Sequence, residues 1–126
     1  AMAAARVWDA TILASDIDQV AVDVAKANLR ANGIKGGVDC VEAAGFDHPA
    51  LRENAPYDVI FANILKGPLV ALAPDIAAHL RPGGYAILSG LLNEQAAEVI
   101  AVYLENGTSL VSHNEIGDWS TLILQK

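Results

Sequence analysis

The chain alternates short apolar runs with segments whose apolar residues recur at helical spacing. Tyr57 to Ala62 is an apolar run broken only by Asp58, rich in the β-favouring Val59, Ile60 and Phe61, and it ends on the polar Asn63. A run of this kind predicts a strand buried on both faces, as in a parallel sheet. Ile64 and Leu65 follow, and Lys66-Gly67-Pro68 opens a helical pattern, with Pro68 suited to a first turn. Leu69, Leu72, Ala73, Ile76, Ala77 and Leu80 form its apolar stripe, which Pro74 should kink or restart. Arg81-Pro82-Gly83-Gly84 stops the helix, and Tyr85 to Ser89 predicts a second buried strand ending at Gly90.

Upstream, the Ala-rich opening AMAAARVW reads as part of a helix with no start signal before it. Thr11 to Ser15 predicts a short strand ending at Asp16, and either Asp16 or Asp18 can cap the helix that follows. That helix runs to about Asn32, with Val20, Val24, Ala27 and Ala31 as its repeat, and Asn32-Gly33 closes it. Residues 38–43 predict another strand, and residues 47–56, broken by Pro49 and Pro56, a connecting loop.

Downstream, Asn93 is a candidate cap for a helix with Ala97, Ile100, Ala101 and Leu104 on its core face, ended by Asn106-Gly107. Two late strands, about Ser109 to His113 and Ser120 to Leu124, are too close in sequence for a helical crossover and should pair antiparallel. The expected architecture is one α/β domain over residues 1–126, its sheet mostly parallel with a terminal antiparallel hairpin.

Composition narrows the function classes. At 53% apolar, the chain suits an α/β protein packed with aliphatic side chains. No apolar run approaches the ~20 residues of a membrane span, and no signal-peptide pattern is read, so a soluble, cytoplasmic protein is expected. A net charge of −7 and scattered basic residues argue against direct nucleic-acid binding. Cys40 has no disulfide partner, and His48, His79 and His113 have no metal-ligand spacing.

Two polar strand ends are candidates for chemistry. Ligands of open α/β sheets sit at the carboxyl ends of the strands. There, Asn63 is either a cap for the next helix or an amide aimed at a substrate. Asp16 is either a helix cap or a carboxylate that accepts from both hydroxyls of a nucleotide ribose, and Asp18 is the better pure cap.

The strand-end acid Asp16, the strand-end amide Asn63 and the closing hairpin together resemble the class I S-adenosylmethionine-dependent methyltransferases. More narrowly, ASDID, ANGI, FANILKGPLVALAP and HLRPGGYAILSGLLNEQ resemble the ribosomal protein L11 methyltransferase (PrmA) family across nearly the whole chain. The resemblance implies a Rossmann-like fold, S-adenosylmethionine as cofactor, and methyl transfer to a protein amino group, with a ribosomal protein as partner. It implies that Asn63 and the backbone carbonyls of Ile64 and Leu65 orient the amine. It also implies that Asp16 holds the ribose, Ile17 packs on the adenine and the Ala44-Gly45 turn lines the adenine edge, with Asn63 also among the cofactor contacts.

The family's first strand and its GxGxG loop have no counterpart here, nor has its upstream substrate-recognition domain. This predicts an incomplete or inactive catalytic domain, or a strand slot filled by a second copy in a homodimer. The rival readings are a non-catalytic Rossmann-like fragment that binds itself or a partner, and a fragment of a nicotinamide-dependent oxidoreductase.

Overall fold

A computed structural model describes all of residues 1–126. They divide into two compact units, Ala1–Glu53 and Asn54–Lys126. No helix is long and apolar enough to cross a membrane, and no group of His, Cys, Asp or Glu side chains is placed to hold a metal ion.

The first unit contains α1 (Met2–Val7), β1 (Ile12–Asp16), α2 (Gln19–Ala31), β2 (Val38–Glu42) and α3 (Pro49–Glu53). β1 and β2 pair in parallel, with Ile12 opposite Val38 and Asp16 opposite Glu42, and neither has a second neighbour. α2 starts where the short polar turn predicts: Asp18 is its N-cap and its carboxylate accepts from the Val20 N–H at 2.8 Å. It ends at Asn32 with Gly33 at φ +73°, the left-handed stop that glycine adopts without strain.

Two expectations for this unit fail. The repeat Val20, Val24, Ala27, Ala31 faces outward, with Val20 67% and Val24 53% exposed, whereas Val22 and Leu29 are buried. α2 carries apolar residues on two stripes, and the one seven residues apart is buried. Residues 47–56 are not all loop either. Pro49 opens α3 as a first-turn residue, and Nδ1 of His48 accepts from the Ala50 N–H at 3.1 Å in the manner of a cap.

The second unit holds β3 (Tyr57–Asn63), α4 (Lys66–Ala71), α5 (Ala73–His79), β4 (Leu80–Leu92), a 3-10 turn (Asn93–Gln95), α6 (Ala96–Glu105), β5 (Ser109–Ile116) and β6 (Trp119–Gln125). Its sheet has the order β3-β4-β6-β5. β3 and β4 are parallel, and the closing hairpin is antiparallel to β4, as expected. The hairpin strands are longer than predicted and only Gly117-Asp118 joins them, with Gly117 at φ +59°, the residue and sign of φ that open a II′-type loop. β4 also begins earlier than Tyr85: the Pro-Gly-Gly segment stops α5 but then joins the strand, Gly83 N–H donating to Lys126 O and Lys126 N–H to Gly84 O.

Register assigns the two faces of this sheet. Ala86 and Leu88 lie opposite Leu124 and Leu122, and all four are fully buried. α4, α5 and α6 pack on the sheet, and their Leu69, Ala73, Ile76, Val99 and Tyr103 complete the core. The alternate residues point the other way: Phe61 lies opposite Ile87, and Ile87 opposite Ile123. Phe61 is 58% exposed and no residue of β3 is fully buried, so β3 is not the strand buried on both faces that its apolar run suggests.

Pro74 does restart the helix, standing at the beginning of α5. On α6 the core face is Ala96, Val99 and Tyr103, and Leu104 is exposed. The Tyr103 hydroxyl decides this rotation, because it donates to the backbone carbonyl of Leu69 at 3.0 Å inside the core. Burial raises the pKa of that phenol.

Candidate functional site

In the second unit, β3 delivers Asn63 to its carboxyl end, opposite Ser89 of β4. Asn63 does not cap the next helix. The N-cap of α4 is Leu65, and no side chain bonds to it. The Asn63 amide is exposed and makes no hydrogen bond within the protein. By the alternation along β3 it lies on the Phe61 face, away from the helices.

Asn63, Ile64 and Leu65 line a cavity of about 500 Å³ together with Ser89, Gly90 and the stretch Trp119 to Thr121. None of these side chains is charged. The cavity exists because β4 bulges. Between the pairs Leu88–Leu122 and Leu91–Ser120, two residues of β4, Ser89 and Gly90, stand opposite the single Thr121 of β6. Bulges of this kind bend the strand and re-aim its neighbours.

Gly90 takes φ +81°, and a Cβ built on it would lie 2.7 Å from Asn63 Oδ1 and 3.1 Å from the Ile64 carbonyl oxygen. Two hydrogen-bond acceptors are therefore open at the strand end only because this position has no side chain. Such a neutral concavity can receive a polar group with hydrogens to donate. It holds no carboxylate that would keep an amine protonated.

In the first unit, Asp16 ends β1, and Oδ1 accepts from the Asp18 N–H at 3.0 Å. Its other carboxylate oxygen has no protein partner and is open to solvent. The Ala43 N–H donates to the Asp16 carbonyl at 2.9 Å, which brings the Ala44-Gly45 turn beside the same strand end. Gly45 has φ +58°, so this turn needs glycine. Ile17, next to Asp16, is 74% exposed.

Asp16, Ile17, Ala44 and Gly45 are thus gathered at the carboxyl end of one two-stranded sheet. A half-open carboxylate beside an exposed aliphatic side chain and a tight backbone turn fits the ribose and base of a nucleoside. Asn63, Ile64 and Leu65 are gathered at another strand end, in the other unit. Sequence reasoning missed Ser89, Gly90, Trp119, Ser120 and Thr121 as site residues. Gly90 after a buried strand was a usable signal, but the hairpin residues reach the site only through tertiary pairing.

The family model for ribosomal protein L11 methyltransferase (PrmA) matches residues 1–126. A ribosomal protein L11 methyltransferase from Chelativorans sp. (strain BNC1) is 44% identical over 126 residues, covering 100% of this chain and 43% of that protein. One from Agrobacterium fabrum is 47% identical over 117 residues, covering 91% of this chain and 39% of that protein. The chain therefore spans less than half the length of these relatives. The crystal structure of a ribosomal protein L11 methylase from Lactobacillus delbrueckii subsp. bulgaricus superposes with a TM-score of 0.89 at 27% identity, covering 98% of this chain and 62% of that one. A methyltransferase from Pyrococcus furiosus shares the fold, with a TM-score of 0.77 at 21% identity.

Proposed function

The chain belongs to the ribosomal protein L11 methyltransferase (PrmA) family, and on that premise we propose that it carries the nucleoside-binding and acceptor sites of an S-adenosylmethionine-dependent N-methyltransferase whose substrate is an amino group of ribosomal protein L11. The observation that carries this reading is the pair of open acceptors, Asn63 Oδ1 and the Ile64 carbonyl, in a cavity without charged side chains. S-adenosylmethionine, when bound, supplies a methyl group on an electrophilic sulfonium.

A methyl acceptor must present a neutral nitrogen lone pair. A lysine amine has a pKa of about 10.4 and an α-amino group one of about 7.7–8, so either must shed a proton on entering. The cavity offers no carboxylate to hold the ammonium form, so the proton can pass to solvent. Asn63 Oδ1 and the Ile64 carbonyl accept the two hydrogens of the neutral amine and leave its lone pair pointing away from them, whereas the Leu65 carbonyl already accepts from the Leu69 N–H at 3.1 Å. Positioning of this kind replaces a general base.

On the other unit, the open oxygen of Asp16 would hold the ribose hydroxyls and Ile17 would pack on the adenine. Ala44 and Gly45 would meet the adenine edge through their backbone.

The test is to incubate the full-length protein with S-adenosylmethionine and ribosomal protein L11 and record the intact mass of L11. Stepwise gain of methyl groups, lost in Asn63→Ala, supports the proposal. An unchanged L11 mass with active S-adenosylmethionine present contradicts it.

A further inference from the structure

Beneath the hairpin wall of the cavity lies a polar chain that the acceptor reading does not use. Ser120 is buried in β6, its hydroxyl donating to Asn93 Oδ1 at 2.8 Å and standing 2.9 Å from His113 Nε2. Asn93 donates its Nδ2 to the Gly117 carbonyl at 2.9 Å and its backbone N–H to the Asp118 carbonyl at 3.0 Å. An amide oxygen can only accept, so the single hydroxyl hydrogen of Ser120 is committed to Asn93. Ser120 must then accept from His113, whose Nε2 carries the hydrogen. Hydrogens run one way along His113, Ser120, Asn93 and the Gly117 carbonyl, so that each bond polarises the next.

This chain ties the hairpin to the segment that follows β4. Asn93 directly follows β4, which supplies Ser89 and Gly90, and its partners are the hairpin loop and the first turn of β6. Trp119 and Thr121 flank Ser120 in sequence, so strand alternation sends their side chains to the opposite, cavity face. Trp119 is 58% exposed. Asn93 was a candidate helix cap, but its amide is spent entirely on the hairpin.

We propose that Asn93, acting through Ser120 and Gly117, is a positioning residue that fixes the Trp119 wall of the amine-acceptor cavity at the width its substrate side chain requires. The proposal rests on the reading of Asn63 as the amine-orienting group. A clamp that only stabilised the fold would lower the melting temperature and leave acceptor recognition alone.

The experiment compares Asn93→Ala and Asn93→Asp with wild type in the full-length protein. Asn93→Asp keeps an acceptor for Ser120 but places an oxygen against the Gly117 carbonyl. Kinetics with L11 are measured beside S-adenosylmethionine affinity by calorimetry. Acrylamide quenching of Trp119 is measured in a Trp8→Phe background.

Loss of one such bond should raise the KM for L11 about three- to tenfold, with kcat and cofactor affinity nearly unchanged and Trp119 more readily quenched. An unchanged KM in a folded variant overturns the proposal, as does unchanged quenching. Should Asn93→Ala fail to fold, Asn93→Asp and Ser120→Ala carry the same comparison. Asn63→Ala separates the two levels. If it abolishes turnover while the Asn93 variants keep their KM, only the clamp is wrong. If it leaves turnover intact, the acceptor reading fails and the clamp proposal with it.

Discussion

A side-chain carbon on Gly90 would stand 2.7 Å from Oδ1 of Asn63, well inside contact distance, with the Ile64 carbonyl oxygen 3.1 Å away. The glycine at the β4 bulge and the amide at the end of β3 therefore form one arrangement. Gly90→Ala should block the acceptor oxygens and strain the backbone at φ +81°, a strain worth about 1–3 kcal/mol. The expected result is at least about a tenfold fall in kcat/KM for L11, equal to 1.4 kcal/mol, with cofactor affinity unchanged. Gly107→Ala is the control, because Gly107 has φ +86° and no atom within 4 Å of a built Cβ. It should lose comparable stability and keep its kcat/KM.

Asp16 and Asp18 stand two residues apart and should separate cleanly. Asp18 caps α2, so Asp18→Ala should cost about 1 kcal/mol of stability and leave cofactor binding nearly intact. Asp16→Ala should instead weaken S-adenosylmethionine binding by about ten- to a hundredfold, the range for lost hydrogen bonds to a charged group. Chemical denaturation and calorimetry on both variants check the pair.

Tyr103 gives a pH dependence. Its buried phenol has a pKa raised by desolvation, so the native state holds this proton more tightly than the unfolded chain. The stability it contributes is complete below the unfolded value of about 10 and declines as pH rises above it. Tyr57, shifted in the same direction by burial, adds to the decline. Tyr103→Phe should remove most of this alkaline slope. It should also cost about 1–3 kcal/mol at neutral pH by leaving the Leu69 carbonyl without its partner. Urea denaturation at pH 8 and above pH 10 measures both effects.

How much of this was legible in the sequence follows from what each feature depends on. Element ends were legible because local chemistry sets them: Asp18 and Gly33 around α2, Pro74 between α4 and α5, Asn106-Gly107 after α6. Helix faces were less legible. α2 and α6 are rich in alanine and valine and show apolar residues on more than one stripe, and tertiary contacts choose between them. Tyr103 makes that choice for α6 by reaching the Leu69 carbonyl. Asn63, Ile64 and Leu65 were readable as a strand end. Their cavity was not, since Gly90 enters through a bulge and Trp119 through hairpin register, neither of which leaves a periodic signal.

Whether Asn63 orients an amine for methylation is decided by turnover of L11 in wild type and Asn63→Ala, with S-adenosylmethionine affinity measured on the same samples. In Asn63→Ala, kcat should fall by about a hundredfold, the scale on which misplacement of reacting groups acts, with cofactor affinity within about twofold of wild type. Unchanged turnover in a folded Asn63→Ala protein would contradict that role.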